Sequence, residues 1–284
     1  MRWRRGSNTG IEDRRGRGFG GGGLALGGLG GIGALIFLVV QLLSGGGGLG
    51  GIDIGPTLDQ FGGTRETESI DDAPDPDKDL VDFLGFVTDD IQSTWDEIFT
   101  RAGRRYVSTK LVLFEQATQT GCGVGSSQTG PFYCPADSKL YLDLSFFREL
   151  RDRFGAPGDF AQAYVVAHEF GHHVQNLLGI DDQVRSASSR DPDARSELSI
   201  AQELQADCFA GIWGHAAFNA QLLEQGDLEE GIGAASAVGD DRIQERTTGR
   251  VDRHTWTHGS SAQRVEWFRR GFDSGAVDDC DTFA

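Results

Sequence analysis

An uncharged apolar segment near the N-terminus most constrains how this chain can fold. Residues 24–43 read LALGGLGGIGALIFLVVQLL, and these 20 residues carry no charge. A helix of that length is long enough to cross a hydrocarbon core of about 30 Å. The segment therefore predicts a transmembrane helix, which divides the chain into a short N-terminal part and a much longer C-terminal part.

The arginines before this segment indicate its orientation. Residues 1–17 contain six arginines and two acidic residues, whereas the whole chain of 284 residues has a net charge of −17. Positive residues tend to stay in the cytoplasm, so residues 1–23 are predicted to be a basic cytoplasmic N-terminus. The predicted protein crosses the cell membrane once, and its main domain lies outside the cytoplasm.

A cleaved signal peptide is the alternative interpretation, because a basic region precedes the apolar one. No small-residue cleavage site follows Leu43, and the sequence SGGGGLGG indicates a flexible linker instead. We therefore favour a retained anchor. Residues 44–78 are rich in Gly, Asp, Glu, Thr and Pro, which is typical of a flexible acidic linker.

Residues 79–284 form the predicted folded domain, and its charge excludes one class of partner. Six arginines and only two acids lie in residues 1–17, so the rest of the chain carries a net charge of −21. A surface this acidic repels phosphate backbones, so we expect no nucleic-acid partner. The expected partners are a peptide or protein substrate and, through residues 24–43, the membrane.

The hydrophobic periodicity of this domain predicts a mostly helical α+β fold. Apolar residues recur every three to four positions between Asp79 and Gly103, as in an amphipathic helix. We predict helices over 79–103, 159–178, 194–225, 227–246 and 260–272, strands over 111–117 and from Lys139, a helix running on from that strand towards Phe154, and loops over 121–135 and 180–194.

All four cysteines follow the apolar segment, on its predicted non-cytoplasmic side. An even number of cysteines in that compartment indicates disulfides. We predict Cys122–Cys134, which closes a short loop, and Cys208–Cys280, which fixes the C-terminus to a helix. Four cysteines allow three pairings, so the other two remain alternatives at this point. No pair has the spacing of a zinc knuckle.

The sequence His168-Glu169-Phe170-Gly171-His172 lies inside the predicted helix 159–178. Two histidines four residues apart occupy one helix face, so their imidazoles can bind one zinc ion. Glu169 borders the same face and can act as the general base. This is the HExxH pattern of zinc peptidases. A core helix with structural histidines is the alternative, but it would bury an unpaired Glu169, which is costly.

A catalytic zinc ion usually has three protein ligands, so a third must lie downstream. Glu203, on the next long helix, is the best candidate, with Glu197 as the fallback. Asp207 lies one turn after Glu203 and can hydrogen-bond the distal nitrogen of a ligand histidine. The alternative for Glu203 and Asp207 is an ordinary solvated helix face.

Two residues near the C-terminus complete the predicted site. His258 precedes the last helix and can donate to the oxyanion of a tetrahedral intermediate. Arg264 can pair with an active-site carboxylate such as Asp207. The alternative is a surface histidine and a surface salt bridge. The three histidines that we do not expect to be ligands are His173, His215 and His254.

The segments HEFGHHVQ, ELQADCFAG and HGSSAQR, together with GCG…FYCP and KLYLDLSFF, make the chain resemble a known family. This is the bacterial neutral zinc metallopeptidase family, the YpfJ-like membrane proteins, and the resemblance covers essentially the whole chain. It implies a zincin-type fold and a zinc site built from His168, His172 and Glu203. The chain is also similar to gluzincins of the CAAX-processing and HtpX kind, whose several membrane spans it lacks.

These patterns together predict a membrane-anchored zinc metallopeptidase that requires Zn²⁺ and cleaves peptide bonds. A zinc-binding scaffold without turnover and a cell-wall amidase are the two alternatives. We also expect the strand KLYLD to form a sheet edge that pairs with an extended substrate.

Overall fold

The computed structural model describes residues 1–16 and 75–284. The predicted transmembrane segment 24–43 and most of the predicted linker 44–78 lie outside the described residues. Among the helices that are described, none combines the length and the apolar character needed to span a bilayer. The described chain is mostly helical with a small sheet, which confirms the α+β fold class.

The regular elements are, in chain order, β1 (Ile11–Asp13), α1 (Lys78–Arg101), β2 (Leu111–Phe114), β3 (Ala117–Thr120), β4 (Gly123–Ser126), β5 (Phe132–Cys134), β6 (Lys139–Asp143), α2 (Ser145–Asp152), α3 (Asp159–Leu178), α4 (Ile180–Arg190), α5 (Arg195–Asn219), α6 (Asp227–Ala237), α7 (Asp240–Thr248) and α8 (Ser261–Ser274). Short 3₁₀ turns lie at Ser127–Thr129, Arg253–Thr255 and Val277–Cys280.

Helix α1 confirms the amphipathic pattern of the first predicted helix. Leu84, Val87, Ile91 and Trp95 lie on one face and are at most 1% exposed. Burying a side chain of this size contributes about 1.5–3 kcal/mol, so this stripe fixes α1 against the rest of the core. The stripe packs on α3 and α5, the two helices that carry the predicted ligands.

The main sheet has four strands in the order β1-β2-β6-β5. Strands β1, β2 and β6 are parallel, whereas β5 is antiparallel to β6. The expected edge strand KLYLD is β6, which lies between β2 and β5, so that prediction is wrong. Its backbone is paired on both sides and cannot add a substrate strand. The stretch 111–117 likewise ends as a strand at Phe114, and β3 begins at Ala117.

The predicted loop 121–135 contains a β-hairpin arm and a sheet strand. Strand β4 pairs with β3 in an antiparallel hairpin, and β5 joins the main sheet. The polar and glycine-rich sequence hides these strands because they lack an apolar alternation. Their stability comes from pairing and from the Cys122–Cys134 disulfide, which links the hairpin to β5.

Residues 1–16 pack on the same body as residues 75–284. The sequence predicted a separate basic segment on the opposite side of a membrane. In the structure, β1 pairs with β2, and Trp3 contacts Phe83 of α1 with ring centroids 5.5 Å apart. The two interactions join residues roughly 80–100 positions apart in sequence, so no local pattern signals them.

The motif helix α3 has the predicted bounds, and Gly179 ends it in a left-handed conformation with φ 79°. It crosses α5 closely at Gly171. A Cβ atom there would lie 2.8 Å from the carbonyl oxygen of Ala206, closer than real contacts allow. Small residues at this crossing therefore bring the two histidines on α3 near the carboxylates on α5.

Three predicted helix boundaries change in the structure. The predicted loop 180–194 is largely helix α4, whose polar sequence buries one residue, Val184. Helix α5 ends at Asn219, because Gln221 has φ 59° and reverses the chain. The predicted helix 227–246 divides into α6 and α7, with the break between Ala237 and Asp240. Both predicted disulfides, Cys122–Cys134 and Cys208–Cys280, are formed.

Candidate metal centre

The structure brings together the three predicted metal ligands, His168, His172 and Glu203. One carboxylate oxygen of Glu203 lies 3.1 Å from Nε2 of His168, and the other lies 3.5 Å from Nε2 of His172. One donor atom from each of the three residues lies within 4.8 Å of the other two. Donors on α3 and α5 thus converge on one point.

These distances fit a tetrahedral zinc ion. Ligand atoms about 2.0–2.1 Å from such an ion lie about 3.3 Å from one another, close to both observed separations. Two imidazoles and one carboxylate also match a ligand set found in catalytic zinc sites, which leave one position open. Without an ion, burial lowers the pKa of His172, but Glu203 outweighs burial and raises it to about 10. A divalent cation bound at this site would replace the proton that the raised pKa favours on the His172 ring.

His168 is held by a charged network. Its Nδ1 lies 2.9 Å from Oδ1 of Asp207 and donates to it, because an ionised carboxylate only accepts. Arg264 binds the same carboxylate with two nitrogens, at 2.7 Å and 2.9 Å. The hydroxyl of Tyr164 also donates to Asp207. Asp207 and Arg264 thus make the contacts that the sequence predicts for them, and Nε2 of His168 faces the ligand cluster.

Charge balance explains how this network is stable in the interior. Burial raises the pKa of Asp207, but Arg264 and His168 outweigh burial, so the pKa lies below its usual range. Arg264 is 3% exposed and Asp207 is fully buried. Each charge therefore depends on the other to offset its desolvation.

His172 is held by neutral amides. The side-chain nitrogen of Gln175 donates to the carbonyl of Gln202 at 2.7 Å, so its oxygen must face Nδ1 of His172, 2.9 Å away. That nitrogen also donates to Oε1 of Gln205 at 3.1 Å. Gln205 in turn donates to the carbonyl of Cys280 at 3.0 Å. Nδ1 of His172 is thereby the donor, and Nε2 is free to bind a metal.

Glu169 lies beside the ligands without joining the cluster. Burial raises the pKa of its carboxyl, and the neighbouring His168 and His172 partly offset that rise. The Glu169 side chain makes no hydrogen bond to any other residue that the structure describes. A carboxylate in this position can accept a proton near the metal without acting as a ligand.

His258 is oriented by Asp240, near enough to Glu203 for the charge of that carboxylate to act on the imidazole. Burial lowers the pKa of His258, but Glu203 and Asp240 outweigh burial and raise it. Asp240 Oδ2 accepts from the backbone N–H groups of Thr257, His258 and Gly259, at 2.7–3.0 Å. Its Oδ1 lies 3.2 Å from Nδ1 of His258.

The other candidate residues lie outside the cluster. His173 is bound by Tyr133 and the carbonyl of Val107, and His215 donates to the carbonyl of Phe272. His254 and Glu197 are exposed. A second group of carboxylates, Asp159, Asp227 and Glu230, is close enough to hold a cation. It contains no histidine, and the α-amino group of Met1 lies 2.7 Å from Asp159 and 3.2 Å from Asp227.

Three residues of the site were not predicted: Tyr164, Gln175 and Asp240. Tyr164 precedes His168 by four residues, and Gln175 follows His172 by three, so both lie on the helix face of the ligands. That spacing was a usable signal for both residues. Asp240 carries no such signal, because its contact with residues 257–259 depends on the tertiary fold.

Comparisons with known proteins agree with this geometry. A family model described as "Putative neutral zinc metallopeptidase" matches residues 1–283. The protein YpfJ of Escherichia coli K12 is 45% identical over 292 residues, covering 100% of this chain and 99% of its own length. Rv2575 of Mycobacterium tuberculosis H37Rv is 44% identical over 190 residues, covering 63% of this chain and 64% of its own.

Both relatives are described as uncharacterized, so they support the family and add no activity. No solved structure matches the chain. The family model and the full-length similarity to YpfJ agree with the convergence of His168, His172 and Glu203. The chain therefore belongs to this neutral zinc metallopeptidase family.

Proposed function

We propose that this chain is a zinc-dependent peptidase that hydrolyses peptide bonds with Glu169 as general base. The observation that carries the proposal is the convergence of His168, His172 and Glu203 beside a carboxylate that is not a ligand. Metal binding alone requires the three ligands. Glu169 adds a half-buried proton acceptor beside the ligands, which a site that only binds metal does not need.

The residues of the site have distinct tasks in this reaction. When bound, zinc supplies a Lewis acid that polarises the peptide carbonyl and lowers the pKa of water. Glu169 accepts a proton from the attacking water and delivers it to the leaving amine. Asp207 and Gln175 hold the two imidazoles with Nε2 directed at the ligand cluster.

His258 stabilises the negative charge that develops on the carbonyl oxygen in this proposal. Its Nδ1 contacts Asp240, so Nε2 is the atom available to donate a hydrogen bond. Three backbone contacts to Asp240 fix the loop that carries His258. A preorganised donor of this kind stabilises a transition state without reorganisation during the reaction.

The fold and the location are further parts of the proposal. The crossing of α3 and α5 at the ligands supports a zincin-like arrangement. Two disulfides support an oxidising compartment outside the cytoplasm. The apolar, uncharged sequence of residues 24–43 supports attachment to the membrane.

A Glu169→Gln variant separates a peptidase from a zinc-binding scaffold. We expect cleavage of an unfolded protein such as casein to fall about 10²–10⁴-fold, because the general base is lost. We expect the zinc content, measured by elemental analysis of the full chain in detergent, to stay at the wild-type level. New peptide termini are counted by mass spectrometry.

Two matched variants complete this experiment. Glu203→Ala should lose both zinc and cleavage, whereas Glu197→Ala, at an exposed position on the same helix, should lose neither. Casein cleavage that persists in Glu169→Gln would contradict the assigned base. Peptidoglycan digested in parallel tests the amidase alternative, which predicts release of cell-wall peptides and no cleavage of casein.

A further inference from the structure

The N-terminal segment, residues 1–16, is built into the sheet of the metallopeptidase domain. The amide of Leu111 donates to the carbonyl of Gly10 at 2.9 Å, and the amide of Arg14 donates to the carbonyl of Leu113 at 2.8 Å. Strand β1 thereby covers the side of β2 that β6 does not. Without β1, the parallel strand β2 would be an open edge.

Side chains fix the same segment to α1. Asp82 of α1 is 2% exposed. It accepts a hydrogen bond of 3.0 Å from the side chain of Asn8, and it forms an ion pair of 2.6 Å with Arg5. Helix α1 has a glycine, Gly85, where Asn8 crosses it, and a Cβ atom there would collide with the Asn8 side chain. Helix α1 is therefore shaped to receive this segment.

The two ends of residues 17–74, which lie outside the described chain, meet at one place. Arg15 forms an ion pair of 2.7 Å with Asp75, and a second of 2.7 Å with Asp13. The described residues on either side of this gap, up to Gly16 and from Asp75, therefore lie beside each other. A single membrane crossing by residues 24–43 would put these two ends on opposite sides of the bilayer.

We propose that residues 1–16 lie on the same side of the membrane as the metal centre, as the first strand of the domain. The arginines of residues 1–16 predict that this segment lies on the cytoplasmic side, opposite the domain. In this proposal it lies on the same side as the domain. Four of those arginines already have acidic partners within the domain or the segment: Arg2 with Glu224, Arg5 with Asp82, Arg14 with Glu12, and Arg15 with Asp75. This inference does not depend on whether the site hydrolyses peptides.

A cysteine pair tests the docking in the full chain. The Ser7 hydroxyl lies 3.0 Å from Oδ2 of Asp89, so we expect Ser7→Cys with Asp89→Cys to cross-link. Intact cells are treated with a membrane-permeant oxidant before lysis, and the linked peptides are identified by mass spectrometry. The matched control is Ser7→Cys with Ser186→Cys, an exposed position on α4 that should give no link.

Single-cysteine labelling gives an independent result if the pair distorts the segment. Ser7→Cys and Ser186→Cys are separately exposed to a membrane-impermeant maleimide in spheroplasts. The four native cysteines are paired, and the wild-type chain measures the background. The proposal requires both positions to label in the same preparation. If one position labels in intact spheroplasts and the other labels only after lysis, the proposal is overturned. If both positions label but the cysteine pair never cross-links, the strand is not docked on the domain.

Discussion

The two histidines of the candidate metal centre lie one helical turn apart but have opposite surroundings. His168 contacts Asp207, which is bound to the Arg264 guanidinium and the Tyr164 hydroxyl. His172 contacts Gln175, which is bound to neutral groups only. One ligand is therefore oriented by a buried ion pair and the other by a chain of amides.

This difference separates two physical tasks within one site. A buried carboxylate raises the basicity of His168, but it requires Arg264 to remain beside it. The amide chain orients His172 without introducing a charge, and it extends to the backbone carbonyl of Cys280, near the end of the chain. Removing a charge beside His168 should therefore lower the free energy of unfolding strongly. Changing an amide beside His172 should lower the zinc affinity with a smaller loss of stability.

Removing the charge of Asp207 should have the largest effect. Asp207→Asn leaves Arg264 buried without a counter-charge, which costs about 3–5 kcal/mol of the free energy of unfolding. Urea unfolding of the zinc-free protein measures this change. Zinc affinity should fall as well, because His168 loses a charged acceptor.

A double-mutant cycle shows whether the ion pair is the cause. Arg264→Met combined with Asp207→Asn removes both charges and should be less destabilised than the sum of the two single variants. Additive effects would mean that the two residues stabilise the protein independently. If Asp207→Asn lowers the free energy of unfolding by less than about 1 kcal/mol, the surroundings of His168 do not stabilise the protein more than those of His172.

The charged side could be predicted from sequence more fully than the neutral side. Helical spacing places Asp207 one turn after Glu203. A charged residue on a predicted buried face needs an oppositely charged partner to offset its desolvation. Gln175 is a common polar residue, so its position three residues after His172 does not by itself indicate a functional role. Its role depends on Gln202 and Gln205, which belong to another helix.

Long-range pairing explains the remaining errors. Strand β1 pairs with residues about one hundred positions away, and β6 is internal only because β5 covers its second side. Asp240 is recognised only once residues 257–259 fold over it. Periodicity describes one element at a time, so it predicted the helices and the shared face of His168 and His172 but not these contacts.

The Cys208–Cys280 disulfide lies at the far end of the amide chain. Cys208→Ser with Cys280→Ser opens a loop of 72 residues, for which chain entropy gives about 4 kcal/mol of lost stability. The tail that presents the Cys280 carbonyl to Gln205 is then free to move. We expect zinc affinity to fall about tenfold or less, measured by competition with a chromophoric chelator.

The other disulfide is the matched control for this effect. Cys122→Ser with Cys134→Ser opens a loop of 12 residues and should cost about 3 kcal/mol. That bridge lies in the hairpin and β5, away from the amide chain, so zinc affinity should not change once the protein is folded. Equal losses of zinc affinity in both variants would show that stability, rather than the Gln205 contact, is responsible.

Gln175→Leu should produce the smallest loss of stability and the most selective loss of metal. Leucine has a similar volume but leaves the carbonyl of Gln202 and Nδ1 of His172 without their partner, which costs about 1–3 kcal/mol. No buried charge is left unpaired, so the protein stays folded. Zinc affinity should fall about 10–100-fold, because His172 is no longer held in the tautomer that directs Nε2 to the metal. Chelator competition measures the affinity, and Gln175→Glu, which restores an acceptor for His172, should recover part of it. If Gln175→Leu binds zinc as tightly as the wild type, the amide chain does not orient His172, and Glu203 and helix α3 suffice.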